Sequence, residues 1–402
     1  MKVIIVGGGT SGWVSLAYLA ATTDVELTII HSEEVDPLGV GESTTPTIKH
    51  VAEVCGIDEV EWMKNAKASY KYGIEFLDFN KKGSRWLHNF DDLLPGQSFH
   101  TPVTEFGKSI FNKEISSVEY FLTQRKKDTN YNIDWYNNSQ GSCEYLLSRK
   151  LSPYTQQNKC NFNKFPSYSY HINAHEFGNS LRDNVPPDRF KEIKSTIKSV
   201  EYDEDGVKSL TLDDGSSISA DLYVDCSGLK RVLINKLTTF NNYNGLLNNS
   251  AVWGSIKTQS YRPSTISIAQ KYGWIWETPT WGQIGSGYVF CDDFISNNEA
   301  EEFMIKYWKS KGYEWKPKRS IKFSSGSLDK VAVKNVVSNG LGQSFIEPLE
   351  ATSIMITCVT VKNISKLINK NKKWADKESN IISKVMKKFL NETMEFVLYH
   401  YT

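Results

Sequence analysis

The first residues able to do chemistry form a glycine-rich turn at the start of the chain. Gly7, Gly9 and Gly12 fit the pattern G-x-G-x-x-G, which here follows a short apolar strand and precedes an apolar helix, as a dinucleotide site requires. Gly7 permits the tight turn, Gly9 lets the backbone approach a pyrophosphate, and Gly12 lets helix and strand pack closely. The helix N-terminus offers N–H donors to the phosphates. The pattern predicts a bound dinucleotide.

The residue after the second strand of such a unit is usually a carboxylate that binds the adenosine ribose. Here that position is His31, followed by Ser32 and Glu33. A neutral imidazole can hydrogen-bond a ribose hydroxyl, and Glu33 is the alternative contact. The sequence does not choose between His31 and Glu33.

A lysine and two tryptophans occupy strands that could face a site. Lys71 lies in the alternating segment Tyr70–Phe79, and on a single strand it would share a face with Glu75. A solvated Lys–Glu pair is the plain interpretation of that face. Trp274 and Trp276 are spaced i, i+2, so both indoles should point to the same side. Core packing is the alternative there.

The segment around Pro348 predicts a helix start. Proline disfavours helical backbone at Glu347, and Thr352 or Ser353 is a good N-cap residue. Free N–H groups at such a start are a natural site for an anion. An ordinary capped helix is the alternative.

These residues need a frame, and the frame predicted is an α/β fold. A strand at Lys2–Val6, a helix at Trp13–Thr22 and a strand at Val25–Ile30 form a βαβ unit, and Asp221–Val224 adds an apolar strand. We expect a Rossmann-like nucleotide module intertwined with a substrate-binding module. The first comprises residues 1–79, 169–232 and 331–369, and the second comprises residues 80–168, 233–330 and 370–402.

Composition narrows the class of partner. The 402 residues carry 47 basic and 46 acidic side chains, so no bulk charge favours nucleic acid or an anionic membrane. The six cysteines show no metal-type spacing, and no apolar run reaches the roughly 20 residues of a membrane span. A strand that begins at Lys2 leaves no room for a signal peptide. We expect a cytoplasmic protein without a metal; a homodimer is one open oligomeric state.

Four segments together resemble the flavin-dependent halogenases of the tryptophan-halogenase family. They are Gly7–Trp13 (GGGTSGW), Gly39–Pro46 (GVGESTTP), Gly273–Pro279 (GWIWETP) and Ser344–Ile354 (SFIEPLEATSI). The resemblance implies a flavin monooxygenase type of fold with FAD as the cofactor. The FAD contacts that it implies are Gly7, Gly8, Gly9, Ser11, Gly12, Ser32, Val40, Glu42, Ser43, Leu341 and Ile354.

The resemblance also implies the catalytic groups. Lys71, in the family's A-S-Y-K strand, is the essential lysine and Glu350 is its partner carboxylate. The halide is implied at the backbone amides of Thr352 and Ser353. Trp274 and Trp276 are implied as the barrier between flavin and substrate.

The implied reaction starts with FADH2 from a separate NAD(P)H flavin reductase. Dioxygen oxidises chloride or bromide to hypohalous acid, which passes the tryptophans and reaches Lys71. An indole-, phenol- or pyrrole-like ring is then halogenated, with Glu350 orienting Lys71 or accepting the ring proton. Thr278, Ala351 and Ser353 depart from the family's residues, and Ser353 implies a reshaped halide pocket.

Two other functions remain open at this point. One is a flavin-dependent monooxygenase of the same fold, which would hydroxylate its substrate without using a halide. The other is a flavin-binding interaction protein that has lost catalysis. The presence of Lys71, Glu350 and both tryptophans argues against the second.

Overall fold

A computed structural model describes residues 1–32, 41–90, 126–128, 141–154 and 167–401. Glu33 and Val40, named above as cofactor contacts, lie outside the described residues. So does most of the stretch 80–168. Among the described helices, none is long and apolar enough to cross a membrane.

The helices described are Thr10–Thr22 (α1), Thr47–Val54 (α2), Glu59–Asn65 (α3), Gly141–Arg149 (α4), Ala174–Asn184 (α5), Asn297–Ser310 (α6), Thr352–Asn371 (α7) and Asp376–Tyr399 (α8). The strands in the first half are Lys2–Val6 (β1), Glu26–His31 (β2), Gly41–Ser43 (β3), Ser69–Lys71 (β4), Gly73–Leu77 (β5), Arg85–Asn89 (β6), Ser169–Asn173 (β7), Phe190–Lys194 (β8) and Ile197–Asp203 (β9). The remaining strands are Gly206–Leu212 (β10), Ser217–Ile218 (β11), Leu222–Asp225 (β12), Phe240–Asn242 (β13), Ser250–Lys257 (β14), Thr265–Gln270 (β15), Gly273–Thr280 (β16), Gln283–Phe290 (β17), Lys316–Lys322 (β18), Gly326–Leu328 (β19), Ala332–Val333 (β20), Val336–Ser338 (β21) and Ser344–Phe345 (β22).

A six-stranded sheet in the order β20-β21-β12-β1-β2-β8 forms the nucleotide-binding frame. Its strands are parallel except for the β20–β21 hairpin. Val3 and Ile5 pack in the same core as α1 and α7, whereas Ile4 and Val6 face the core shared with β10. A parallel sheet buried on both faces is the expected setting for a near-continuous apolar strand such as β1. The predicted α/β, Rossmann-like fold is confirmed.

A second sheet of seven strands runs in the order β18-β14-β17-β16-β15-β5-β6. Its neighbours are antiparallel except for β15 and β5. Strand β16 carries both Trp274 and Trp276 close to the middle of this sheet. A small third sheet has the order β3-β7-β4. Strand β3, which follows residue 40, and strand β4, which carries Lys71, pair with opposite sides of β7.

The single strand predicted for Tyr70–Phe79 is wrong. It is two strands in two sheets, and the chain changes sheet at Tyr72, whose amide donates to the carbonyl of Pro263. Gly73 makes this crossing possible, because a Cβ there would lie 2.4 Å from the carbonyl oxygen of His88. Lys71 and Glu75 therefore do not share a face.

Glu75 belongs to a separate buried cluster. Its carboxylate accepts hydrogen bonds from Arg262, Arg85 and Ser264, and these groups hold the pKa of Glu75 below its usual value although burial acts to raise it. The Lys71–Glu75 pair expected for a solvated strand face is wrong, since Lys71 is fully buried.

The division into two modules stays a prediction. The six-stranded sheet is built from segments assigned to the FAD-binding module. Residues 73–77, assigned to that same module, pair instead with 85–89 and 265–270 in the second sheet.

Candidate active site

The glycine turn after β1 has the geometry that a diphosphate needs. A Cβ at Gly7, where φ is +120°, would lie 2.3 Å from the carbonyl oxygen of Cys226, and one at Gly12 would lie 1.9 Å from that of Gly7. A Cβ at Gly9 would meet nothing within 4 Å, and no side chain caps α1. The turn is closed on its protein side and open where the cofactor would approach, so these residues fit FAD.

Other residues predicted to contact FAD converge on this turn. A Cβ on Gly340, just before Leu341, would lie 2.6 Å from the Ser11 hydroxyl oxygen, which places the 340–342 loop against the first turn of α1. Ile354 is buried in the first turn of α7, in the same core as α1. The convergence of distant segments on one turn supports a single cofactor site.

The loop ending in β3 adds a second group of predicted FAD contacts. The Ser43 hydroxyl lies 2.6 Å from that of Thr265, which ties β3 to the seven-stranded sheet. Burial raises the pKa of Glu42 to about 7. Gly41 lies against β16, since a Cβ there would be 3.0 Å from the methyl carbon of Thr280. This loop joins the lysine sheet to the tryptophan strand.

Lys71 ends β4 with its side chain fully buried. Its ammonium donates to the carbonyl oxygen of Thr44 at 2.8 Å and stands 4.9 Å from the ring centre of Phe90. Burial lowers the pKa of Lys71 to about 7, although the negative charge of Glu350 acts in the opposite direction. An amine of this pKa is present in both protonation states at neutral pH.

Glu350 is clamped by two histidines. His88 Nδ1 lies 2.8 Å from one carboxylate oxygen, and His400 Nε2 lies 2.7 Å from the other in an ion pair without an aligned hydrogen bond. Burial acts to raise the pKa of Glu350, but the charge of His88 and the close contacts of both imidazoles lower it to about 2. Glu350 is therefore a fixed anion at neutral pH.

The expectation that Glu350 is the direct partner of Lys71 needs correction. Among the described residues, no ion pair joins the two groups; the lysine hydrogen-bonds Thr44 and the carboxylate pairs with His88 and His400. The physical reason is that two imidazoles already occupy both carboxylate oxygens. Glu350 still acts on Lys71 through space, since its charge raises the lysine pKa.

The start of α7 lacks the N-cap that the sequence predicted. The helix begins at Thr352, and its N-cap is Ala351 in the left-handed conformation (φ +57°), so no side chain caps the first amides. The prediction that Thr352 or Ser353 is the N-cap is wrong, because a 3-10 turn at Pro348–Glu350 runs directly into the helix. The buried Thr352 hydroxyl has no hydrogen-bond partner within the part of the chain that the structure describes. Uncapped amides beside an unpaired hydroxyl fit an anion such as a halide.

Trp274 and Trp276 are neighbours on β16, with ring centroids 6.2 Å apart. The Trp274 indole N–H donates to Glu347 at 3.2 Å, and the same carboxylate accepts from Asn248 and from the Tyr401 hydroxyl. Burial raises the pKa of Glu347. These bonds fix one indole beside the turn that carries Glu350; the barrier role remains a prediction.

Several site residues carried no clear signal in the sequence. His88 and His400 contact the Glu350 carboxylate. His171 is hydrogen-bonded to Ser69, in the same strand as Lys71, at 3.1 Å. Burial, together with the charge of Lys71, holds the pKa of His171 well below its usual value. The hairpin that follows Lys71 could have indicated His88, because β6 returns beside β5. No local sequence feature indicated His400, which lies at the end of α8.

Fold and site together define a class: a dinucleotide-binding oxidoreductase that also holds a buried lysine and an ionised buried carboxylate. The family model described as tryptophan halogenase matches residues 2–402. The chain therefore belongs to the tryptophan halogenase family. It is a flavin-dependent halogenase, and its cofactor is FAD.

Individual relatives agree with this assignment. Tryptophan 7-halogenase RebH of Lentzea aerocolonigenes is 28% identical over 100% of this chain and 76% of its own length. The crystal structure of tryptophan 6-halogenase SttH from Streptomyces toxytricini is similar with a TM-score of 0.84 and 26% identity, covering 98% of this chain and 77% of that one. BrvH, a flavin-dependent halogenase from Brevundimonas sp. BAL3, gives a TM-score of 0.81 and 26% identity over 100% of this chain and 78% of that one.

Proposed function

We propose that this enzyme uses FADH2 and dioxygen to oxidise a halide to hypohalous acid, and that Lys71 delivers the halogen to an electron-rich aromatic ring. The observation that carries the proposal is the fully buried Lys71, whose pKa burial lowers to about 7 beside an ionised Glu350. Among the described residues Lys71 has no ion pair, and a buried lysine without one lowers stability, so its presence at this position favours a chemical role.

Bound reduced flavin would supply the chemistry that oxidises halide with dioxygen. Gly7, Gly9 and Gly12 would hold its diphosphate, with Ser11, Leu341 and Ile354 along the adjoining surface. Glu42 and Ser43 would approach from β3. A separate NAD(P)H flavin reductase would supply FADH2.

The halide would lie at the start of α7. The first amides of this helix have no side-chain cap, and the Thr352 hydroxyl is a buried donor without a partner. Ser353 adds a second hydroxyl in the same turn. Free amides and hydroxyl donors at one helix start favour an anion.

Lys71 can act on hypohalous acid in two ways. Its ammonium form can hydrogen-bond the acid, and its neutral form can take up the halogen as a haloamine, with loss of one proton and release of water. A pKa near 7 keeps both forms available. Both routes are therefore chemically open to Lys71.

Glu350 serves as an orienting charge rather than as the base for the ring proton. Its pKa of about 2 makes it a weak proton acceptor at neutral pH. Its charge stabilises the cationic form of Lys71 and of the ring during attack. His88 occupies one carboxylate oxygen with Nδ1, and the charge of Glu350 raises the pKa of His88 in turn.

The substrate we propose is a small electron-rich ring of the indole, phenol or pyrrole class. RebH and SttH are named for halogenation of tryptophan, which favours an indole. Trp274 and Trp276 would separate this ring from the flavin. The chloride or bromide preference would depend on the pocket at Ser353.

The test is mass spectrometry of an aromatic panel incubated with the enzyme, a flavin reductase, and chloride, bromide or iodide. We expect a halogenated product whose mass follows the halide supplied. A hydroxylated product that is indifferent to halide would instead establish the monooxygenase alternative. FADH2 oxidation without any modified product across the panel would favour the non-catalytic flavin-binding alternative.

A further inference from the structure

The second strand of the nucleotide unit ends in a histidine where a ribose-binding carboxylate is usual. His31 closes β2, and β8 runs parallel beside it; His31 pairs with Lys194, and Glu192 lies two residues before Lys194. The two side chains thus emerge on the same face of the sheet, next to the glycine turn. An acid is present at this corner, although it comes from another strand.

The histidine and the acid are in direct contact. His31 Nε2 lies 2.8 Å from one Glu192 oxygen, and Arg182 donates to the other at 2.7 Å. Partial burial acts to raise the pKa of Glu192, but the hydrogen bonds from His31 and Arg182 lower it overall. An ionised Glu192 can only accept, so His31 must carry its proton on Nε2.

The other ring nitrogen faces the cofactor turn. A Cβ added at Gly8 would lie 2.9 Å from His31 Nδ1, so this edge of the imidazole borders the backbone of the turn. Trp13 packs edge-on against the ring at 5.3 Å between centroids, and Arg182 stacks over Trp13. The ring is packed on two sides, and with the proton on Nε2 the neutral ring keeps Nδ1 as an acceptor close to the turn.

We infer that His31 Nδ1 accepts a hydrogen bond from a hydroxyl of the adenosine ribose of FAD, and that Glu192 is the positioning residue that sets the histidine tautomer. The pair replaces the single carboxylate of other nucleotide sites. This inference rests on FAD as the cofactor and is independent of the halogenation chemistry. It selects His31 over Glu33 as the ribose contact.

The experiment measures equilibrium binding of oxidised FAD to apoprotein through quenching of flavin fluorescence. The comparison ligand is an FAD analogue whose adenosine lacks both ribose hydroxyls. Wild-type protein should bind FAD about 3- to 10-fold more tightly than the analogue, the range of one neutral hydrogen bond. His31→Ala should bind both ligands equally, at the affinity that the wild type has for the analogue.

Two further variants separate positioning from packing. Glu192→Gln should reduce the preference for FAD without changing affinity for the analogue, whereas His31→Glu should restore the preference by supplying a direct carboxylate. His175→Ala, on exposed surface, is the matched control and should keep the full preference. Equal binding of both ligands by the wild type, or an unchanged preference in Glu192→Gln, would overturn the inference. Halogenation is not part of this readout, so a failure of the proposed function leaves the result interpretable.

Discussion

The buried Glu350 carboxylate and the His88 imidazole, whose side chain is 36% exposed, form an ion pair, with His88 Nδ1 2.8 Å from Glu350 Oε2. Burial acts to lower the pKa of His88, but the charge of Glu350 and the hydrogen bond to it raise it overall. The same contact holds Glu350 ionised. This pair, rather than a direct Lys71–Glu350 bridge, sets the electrostatics around the lysine.

Replacement of His88 by Ala should therefore destabilise the ionised form of Glu350. Glu350 would lose one of its two partners, and leaving a buried charge partly unpaired costs roughly 3 kcal/mol. We expect a lower free energy of unfolding and a large fall in halogenation. Urea denaturation and product formation measure the two effects. Phe396→Leu, which changes a ring packed against both imidazoles but leaves His88 and its contact with Glu350 in place, is the packing control and should lose much less activity.

Glu350 should also make the free energy of unfolding depend on pH in the acidic range. Its folded pKa of about 2 lies below the ordinary 4.5, so its contribution is complete above pH 4.5 and is lost as the pH falls toward 2. The full contribution is on the order of 3 kcal/mol. Urea denaturation of the wild type and Glu350→Gln should show a difference that shrinks between pH 4.5 and 2.5. A constant difference over that range would contradict the assignment.

Lys71 should lower the free energy of unfolding in the pH range in which its amine is charged. Its folded pKa of about 7 lies below the ordinary 10.5, so the unfolded chain binds more protons between these values and stability rises with pH there. Lys71→Met should raise the free energy of unfolding at pH 6 by about 2 kcal/mol after loss of the Thr44 hydrogen bond. The gain should shrink by pH 10. Lys64→Met, at an exposed site, should show neither effect.

The glycine turn gives a matched pair of variants. A Cβ at Gly9 meets open space, whereas one at Gly12 would strike the backbone of Gly7. Gly9→Ala should leave the apoprotein melting temperature nearly unchanged but weaken FAD binding more than about 10-fold, since the methyl group takes the place of the diphosphate. Gly12→Ala should lower the melting temperature itself. Equal FAD affinity in Gly9→Ala and wild type would contradict the placement of the cofactor.

The halide site can be tested at Thr352. Thr352→Val keeps the shape of the side chain and removes only the unpaired hydroxyl, so it should raise KM for halide several-fold without loss of stability. Thr352→Ser keeps the donor and should retain a near-normal KM. Halide titration at saturating aromatic substrate gives both values. An unchanged KM in Thr352→Val would remove the hydroxyl from the site.

The sequence predicted the parts of this site that local pattern determines. The glycine turn and its strand and helix were accessible because each glycine has a local steric role, and the adjacent tryptophans followed from strand periodicity. The change from one sheet to another at Tyr72 could not be predicted from the sequence, because it depends on Pro263, which is distant in the chain. An alternating strand and two strands in separate sheets look alike in a single segment.

Tertiary contacts decided the partners of the charged groups. Family resemblance indicated Glu350, but its histidines come from β6 and from the end of α8, and neither position has a local signature. Glu75 looked like the partner of Lys71 and instead binds Arg262 and Arg85. Pairing of buried charges depends on which side chains the fold brings within reach, and spacing along the chain does not determine it.

The decisive measurement is bromination by the wild type and by Lys71→Met under the same supply of FADH2, dioxygen and bromide, each normalised to bound FAD. Halogen delivery by Lys71 requires brominated product only with the wild type, with equal FAD binding and equal bromide-dependent formation of free hypobromous acid in both, trapped with a thioether. Full bromination of the aromatic substrate by the correctly folded Lys71→Met protein would contradict it.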